Sequence, residues 1–367
     1  MKIAFDFASG AGNVDGIGSY IRGLSTALLE TQPDINIVPI FGCLPSSKNE
    51  WYPKSEQIKK HPTLFPRRIY NYLINKGMPL EISTGPIDLV HFPNFISYKT
   101  SKAKIIVTFH DLAFLEMPHL YPEYALKHYN TLIDNTLQIA DFIITNSIST
   151  TNSILNFYKW DKTKIMHTYL GGGELNTNKS VSISHLVDEY PYILSIGTHV
   201  PRKDYKTLLK AFAKISLSPE LRLAIVGNTT EFSKELYQLA EKLNIYDRVI
   251  WLGYVCNEEK TTLIKNALCY VHTSLHEGFG IPIVEAMSFS KPIVVSNGGA
   301  CPEIAGDCAI ICKAGDADDF AKGISMILSD KNFANQIGVK AKERAKIFTW
   351  KNCANKTREI YDYILSS

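Results

Sequence analysis

The chain has 367 residues, 45% of them hydrophobic and 20% charged, with a formal net charge of +3. That length exceeds the roughly 250 to 300 residues at which one hydrophobic core stops growing, so two domains are expected, and the charge is too small to point to a nucleic-acid partner. Seven cysteines, odd in number, without a C-x-x-C pair and mostly in apolar runs, read as reduced thiols of a cytoplasmic protein; no signal peptide and no apolar run of about 18 residues is present.

The first run, KIAFDFA, reads as a strand, and the loop ASGAGNVDGIGSY carries it into the helical IGSYIRGLSTALLE. Gly10, Gly12, Gly16 and Gly18 let backbone approach a ligand closely, and the helix behind them offers N–H groups to an anion. Glycines that serve only a tight turn explain the loop equally well. The spacing is not G-x-G-x-x-G, and no acidic residue follows on a second strand, which weakens a dehydrogenase reading.

Residues 54–76 carry Lys54, Lys59, Lys60, Arg67, Arg68 and Lys76 against a single Glu56, interleaved with Phe65, Tyr70, Tyr72 and Leu73. Such a segment suits an anionic bilayer, while a solvated basic face accounts for it at least as well. The strands IDLVHF, KIIVTFH and DFIITNS come next, each leading into a helical pattern. His110 and Asp111 close the second of them; a histidine there can bond a hydroxyl, take a proton, or serve structure alone.

Three glycines and a polar stretch at 171–190 interrupt the rhythm and are read as a linker between a domain of residues 1–170 and one of 191–348. The second half then repeats the alternation: YILSIGT, LRLAIVG, RVIWLGY, CYVHTS, PIVVSN and AIICKA predict six strands separated by amphipathic helices. Near-continuous Val/Ile/Leu strands alternating with helices mean parallel sheets covered on both faces, so the fold class is α/β, with two doubly wound domains. Such sheets bind ligands beyond the carboxyl ends of their strands, and two of them facing each other would form a cleft. A last helical stretch, 349–367, has no domain assigned by its pattern.

Three features of the second half point to an anionic ligand carrying hydroxyls. Arg202 and Lys203 follow the first strand and precede a helix, where the helix dipole disfavours cations; a diphosphate gripped by both would repay the arrangement, and a solvated basic turn is the bland alternative. In LHEGFGIPIVEAM, residues 275–287, Glu277 precedes a turn, Pro282 suits a first helical turn, and Glu285 lies inside the helix. An ionised carboxylate only accepts hydrogen bonds and suits vicinal diols, so the two acids can hold the two sugar-like parts of a nucleotide-sugar, with Gly278 and Gly280 exposing backbone N–H groups between them. By contrast Asp316-x-Asp318 precedes a helix and reads as a cap rather than a metal site.

Taken together, HEGFGIPIVE, the PRK turn, GIGSY and FHD resemble the retaining, nucleotide-sugar-dependent glycosyltransferases of family 4, over nearly the whole chain. The resemblance implies the GT-B fold, two Rossmann-like domains facing across a cleft. It implies that Glu277 contacts the transferred sugar and Glu285 the ribose, while Arg202 and Lys203, with N–H groups of Phe279, Gly280 and Ile281, neutralise the leaving diphosphate. His110 would touch the sugar near the reacting carbon, Gly16 and Gly18 would lie in the loop that closes over the phosphates, and Val255 would read the base through its backbone. The final helix would cross back to the first domain.

The expectation is therefore a cytoplasmic, metal-independent hexosyltransferase, peripheral at most on the inner face of the membrane. It would take a nucleotide-sugar, best matched by GDP-mannose, with UDP-, dTDP- and ADP-sugars as alternatives, and act on a glycan or polyprenyl-linked acceptor. The rivals are a catalytically silent nucleotide-sugar-binding module and a two-domain oxidoreductase or epimerase.

Overall fold

The computed structural model describes every residue except 11–15, 42–43, 46–51, 60–68, 70–71, 75, 96, 173–188, 216–218 and 367. Most of the linker read at 171–190, Gly12 of the first loop, and Lys60, Phe65, Arg67, Arg68 and Tyr70 of the basic segment lie outside the described residues. The chain divides into two compact units, one made of Met1–Gly171 with Trp350–Ser367 and the other of Gly172–Thr349.

In the first unit the strands are β1 (Lys2–Asp6), β2 (Asn36–Phe41), β3 (Leu44–Pro45), β4 (Leu89–Phe92), β5 (Lys104–Phe109), β6 (Phe142–Thr145) and β7 (Ile165–His167). They form one sheet in the order β3-β2-β1-β4-β5-β6-β7, parallel throughout except between β2 and β3. The order reverses at β1, the mark of a doubly wound sheet. Val90, Val107, Phe109 and Ile143 are fully buried in its core, as strands covered on both faces require.

The sequence reading missed β2, β3 and β7. Pro39 in NIVPIF argues against an interior strand because it donates no hydrogen bond; β3 pairs with Ile40 and Phe41, and among the described residues β2 at Pro39 has a partner on the β1 side alone. β7 is three residues long, too short for an alternation to show.

The Trp350–Ser366 helix packs in this first unit, along the Gly16–Thr31 helix. A Cβ on Gly23 would meet the Trp350 ring at 2.1 Å and one on Gly171 would meet it at 2.5 Å, so both glycines are what lets the indole lie flat there. Farther along, Tyr361 reaches the imidazole of His91, and Arg358 pairs with Asp34 at 2.6 Å.

The second unit contains β8 (Tyr192–Ile196), β9 (Arg222–Val226), β10 (Val249–Gly253), β11 (Cys269–His272), β12 (Ile293–Ser296) and β13 (Ile310–Cys312). All six coincide with the strands read from the sequence. Their order is β10-β9-β8-β11-β12-β13, every pair parallel. Leu208 and Phe212 from one helix, Phe320 and Ile324 from another, pack on Leu223, Ile225 and Val271 of the sheet. The Asp316 carboxylate accepts from the N–H groups of Asp318 and Asp319, both at 3.1 Å, as a helix cap.

Of the cysteines described, Cys269, Cys301, Cys308, Cys312 and Cys353 are buried and free, as expected. Cys256 is free and exposed, and occupies the N-cap of the Asn257–Asn266 helix. Among the described residues no helix is long and apolar enough to cross a membrane.

Candidate active site

The second sheet reverses its order at β8, with β9 on one side and β11 on the other. The loops leaving β8 and β11 therefore open side by side at a switch point, where such sheets take their ligands. Pro201–Lys203 form a single 3₁₀ turn after β8, and Asp204, in the left-handed region, caps the helix that follows. Arg202 and Lys203 thus precede the cap rather than sit in the helix. Thr273 donates to the Lys203 carbonyl at 3.0 Å and the Leu275 N–H to that of Arg202 at 2.8 Å, so the two loops are joined by hydrogen bonds.

Glu277 stands where they meet. Its Oε1 receives Lys203 Nζ, Ser274 Oγ at 2.6 Å and His272 Nε2 at 3.1 Å; its Oε2 receives Arg202 at 3.2 Å. A carboxylate only accepts, so His272 carries its proton on Nε2 and takes the Tyr270 hydroxyl on Nδ1, 2.8 Å away. Burial alone would raise the Glu277 pKa; Lys203, Arg202 and the His272 hydrogen bond overcome it and hold the acid well below its ordinary value. The imidazole of His272 is pushed down by burial and stays neutral. Two cations against one anion leave this cluster with one positive charge.

Gly299, at φ +55°, lets the next loop press against this one, since a Cβ there would meet the Glu277 carbonyl at 2.3 Å. The Ala300 N–H donates to that same carbonyl at 2.8 Å. Gly280, at φ +93°, turns the chain into the Ile281–Ser288 helix with Pro282 in its first turn. The ring of Phe279 is buried against Phe348, with centroids 5.7 Å apart. Gly278 is buried as well. Among the described residues no acceptor takes the N–H of Gly280 or Ile281, and both lie at the positive end of the helix dipole.

Glu285 is 4% exposed and lies beyond the first turn of that helix, where a dipole preference no longer explains a buried acid. Lys260 Nζ donates to its Oε1 at 2.6 Å, whereas Oε2 is buried with no partner. Buried Tyr270 feels the charge of both Glu285 and Glu277. Val255 follows β10 between exposed Tyr254 and Cys256, and its N–H and C=O meet no backbone partner among the described residues.

The remaining predicted residues belong to the first unit. His110 follows β5; its Nε2 donates to the Pro93 carbonyl at 2.8 Å, and its ring stands edge-on to Tyr20 at 4.9 Å. Asp111 accepts from the Ala113 N–H at 3.0 Å and so shapes a turn. Gly16 opens the Gly16–Thr31 helix and is exposed, with nothing within 4 Å of a Cβ built on it; Gly18 is buried.

Arg202, Lys203 and Glu277 are brought together, and Glu285 is held separately by Lys260. The sequence reading missed His272, Ser274, Lys260 and Gly299. His272 and Ser274 were visible as polar residues at spacings of five and three before Glu277, and Lys260 as a cation in the first turn of a helix.

Residues 177–344, nearly all of the second unit and every residue of its site, match the family described as glycosyl transferases group 1. The second unit therefore belongs to that family. The chain is 28% identical over 282 residues to O-antigen chain mannosyltransferase B of Escherichia coli, covering 74% of each chain. It is 30% identical over 193 residues to O-antigen chain mannosyltransferase RfbU of Salmonella typhimurium, covering 52% of its own length and 51% of that relative's. Its fold matches sucrose-phosphate synthase from Thermosynechococcus elongatus with a TM-score of 0.76 at 20% identity, over 100% of this chain and 99% of that one. The chain thus has a GT-B-like fold of two doubly wound sheets.

Proposed function

We propose that the enzyme moves a mannosyl residue from GDP-mannose to a glycan or polyprenyl-linked acceptor, with retention at the anomeric carbon. The observation that carries the donor site is the buried, partnerless Oε2 of Glu285, on the same Ile281–Ser288 helix whose start presents the N–H groups of Gly280 and Ile281, unpaired among the described residues. A buried acceptor without a donor costs about 1–3 kcal/mol, which a ribose diol would relieve. The unpaired N–H groups suit phosphate oxygens, and the surplus positive charge of the Arg202–Lys203–Glu277 cluster suits a departing diphosphate.

Glu277 is a poor nucleophile and base, because its carboxylate is held well below the ordinary range. Its role in this reading is acceptance: Oε2, bonded by Arg202 alone among the described residues, has a lone pair for a sugar hydroxyl. Attack by the acceptor hydroxyl on the face that the diphosphate leaves then requires no protein nucleophile, and catalysis rests on positioning and on stabilising the shed charge. His110, whose Nε2 donates to the Pro93 carbonyl, is assigned to the donor sugar. Mannose is favoured by the two O-antigen relatives, which are named as mannosyltransferases.

A panel of GDP-, UDP-, dTDP- and ADP-sugars tests this by thermal stabilisation and slow donor hydrolysis. GDP-mannose should stabilise and turn over best. Preference for another donor would overturn the mannosyl assignment, and binding without turnover or transfer would support a silent binding module.

A further inference from the structure

The Asn257–Asn266 helix begins with Asn257, Glu258 and Glu259 and then Lys260. Two acids there favour the helix dipole, and a cation does not. Its side chain is nevertheless mostly buried, 19% exposed, and reaches Glu285. Isolated buried ion pairs roughly break even against well-packed apolar pairs, so stability alone gives little reason for one here. The pairing is also lopsided. Lys260 takes Oε1 and leaves Oε2 inside the protein without a donor. A pair kept only for structure would have both oxygens satisfied.

We propose that Lys260 is a positioning residue that aims Glu285 at the ribose of the donor, an inference that rests on the donor reading above. Donation to Oε1 fixes the side chain, so the free Oε2 can receive a diol hydroxyl. The helix that carries Lys260 begins immediately after Val255 and Cys256, at the strand end assigned to the base. One short element would therefore place the base contact and orient the acid that holds the ribose.

The test compares a nucleoside diphosphate with its 2′,3′-dideoxy counterpart by calorimetric titration, using GDP or UDP according to which nucleotide the donor panel selects. The wild-type enzyme should prefer the ribose form by about ten- to a hundredfold, the scale of a hydrogen bond to a charged group. In Lys260→Met that preference should collapse toward unity, while Lys260→Arg should restore most of it. A general loss of folding weakens both nucleotides alike and does not move their ratio. If Lys260→Met is not recovered folded, Lys260→Gln serves for the same ratio.

Glu285→Gln separates the two ideas. Should it lose the preference while Lys260→Met keeps it, the positioning role is overturned and the ribose reading stands. Should Glu285→Gln keep the full preference, the ribose reading fails and the positioning role fails with it.

Discussion

The two units place a buried histidine on corresponding strands, and the two histidines keep different company. β4 and β11 each lie next to the strand at which their sheet reverses, and His91 and His272 each set Nδ1 against a tyrosine hydroxyl, at 2.6 and 2.8 Å. His91 Nε2 then meets the Thr108 hydroxyl at 2.7 Å, which meets Tyr20 at 3.0 Å, and the chain of bonds among neutral groups closes within the first unit. His272 Nε2 instead meets Glu277, and through it Arg202 and Lys203. A closed neutral network can tie the Trp350–Ser366 helix to the sheet and do no more. An ionic cluster carrying a surplus positive charge, with an underused carboxylate oxygen and unpaired N–H groups nearby, keeps capacity for a ligand.

This contrast can be broken by substitution. Glu277→Gln should lower turnover by about a hundred- to a thousandfold, the scale of a lost electrostatic contact at a reacting centre, with a melting temperature near that of wild type. Steady-state donor turnover beside a thermal melt reads both; a variant that melts early but turns over normally per folded molecule would make Glu277 structural. His91→Leu should do the reverse. It strands the hydroxyl of Tyr361, leaves Thr108 with Tyr20 alone and should cost about 1–3 kcal/mol of stability in denaturant unfolding, with activity per folded molecule nearly unchanged.

A pH series sharpens the same point. Burial, reinforced by the charge of His110, pushes His91 down to about 3, and burial also lowers His199 and His272. Below the unperturbed value of about 6.5 the unfolded chain binds protons that these buried rings refuse, so stability falls as pH falls. For His91 the loss extends from 6.5 toward 3. In His91→Leu the slope of unfolding free energy against pH across that window should be shallower by up to about 1.4 kcal/mol per pH unit, one proton's worth. An unchanged slope would mean that His91 is not held neutral. The smallest effect belongs to a helix cap outside both histidine networks: Asp316→Ala should cost about 1 kcal/mol and leave turnover alone.

The second unit was more legible in the sequence than the first. Runs such as LRLAIVG and PIVVSN are apolar on both faces and bounded by turns, and each became a strand. NIVPIF hid behind Pro39, and the three residues of β7 behind their brevity. Glu277, Arg202 and Lys203 were legible because charged residues leaving buried strands need a reason. Their mutual pairing was not, because it joins loops about 75 residues apart whose register only the sheet order fixes. The cations expected to wait for a diphosphate are instead engaged with Glu277 beforehand. Lys260 escaped notice because a helical pattern says which face a residue is on, but not that a lysine in a first turn reaches an acid on another helix.

The most direct test of the ionic cluster as the donor site is calorimetric titration of GDP into the wild-type enzyme and into Lys203→Met, with both variants' melting temperatures recorded without ligand. Binding should weaken by about tenfold or more in the variant, and more gently with salt than in wild type, while the unliganded melts stay close together. Equal affinities for GDP in the two proteins would contradict the assignment.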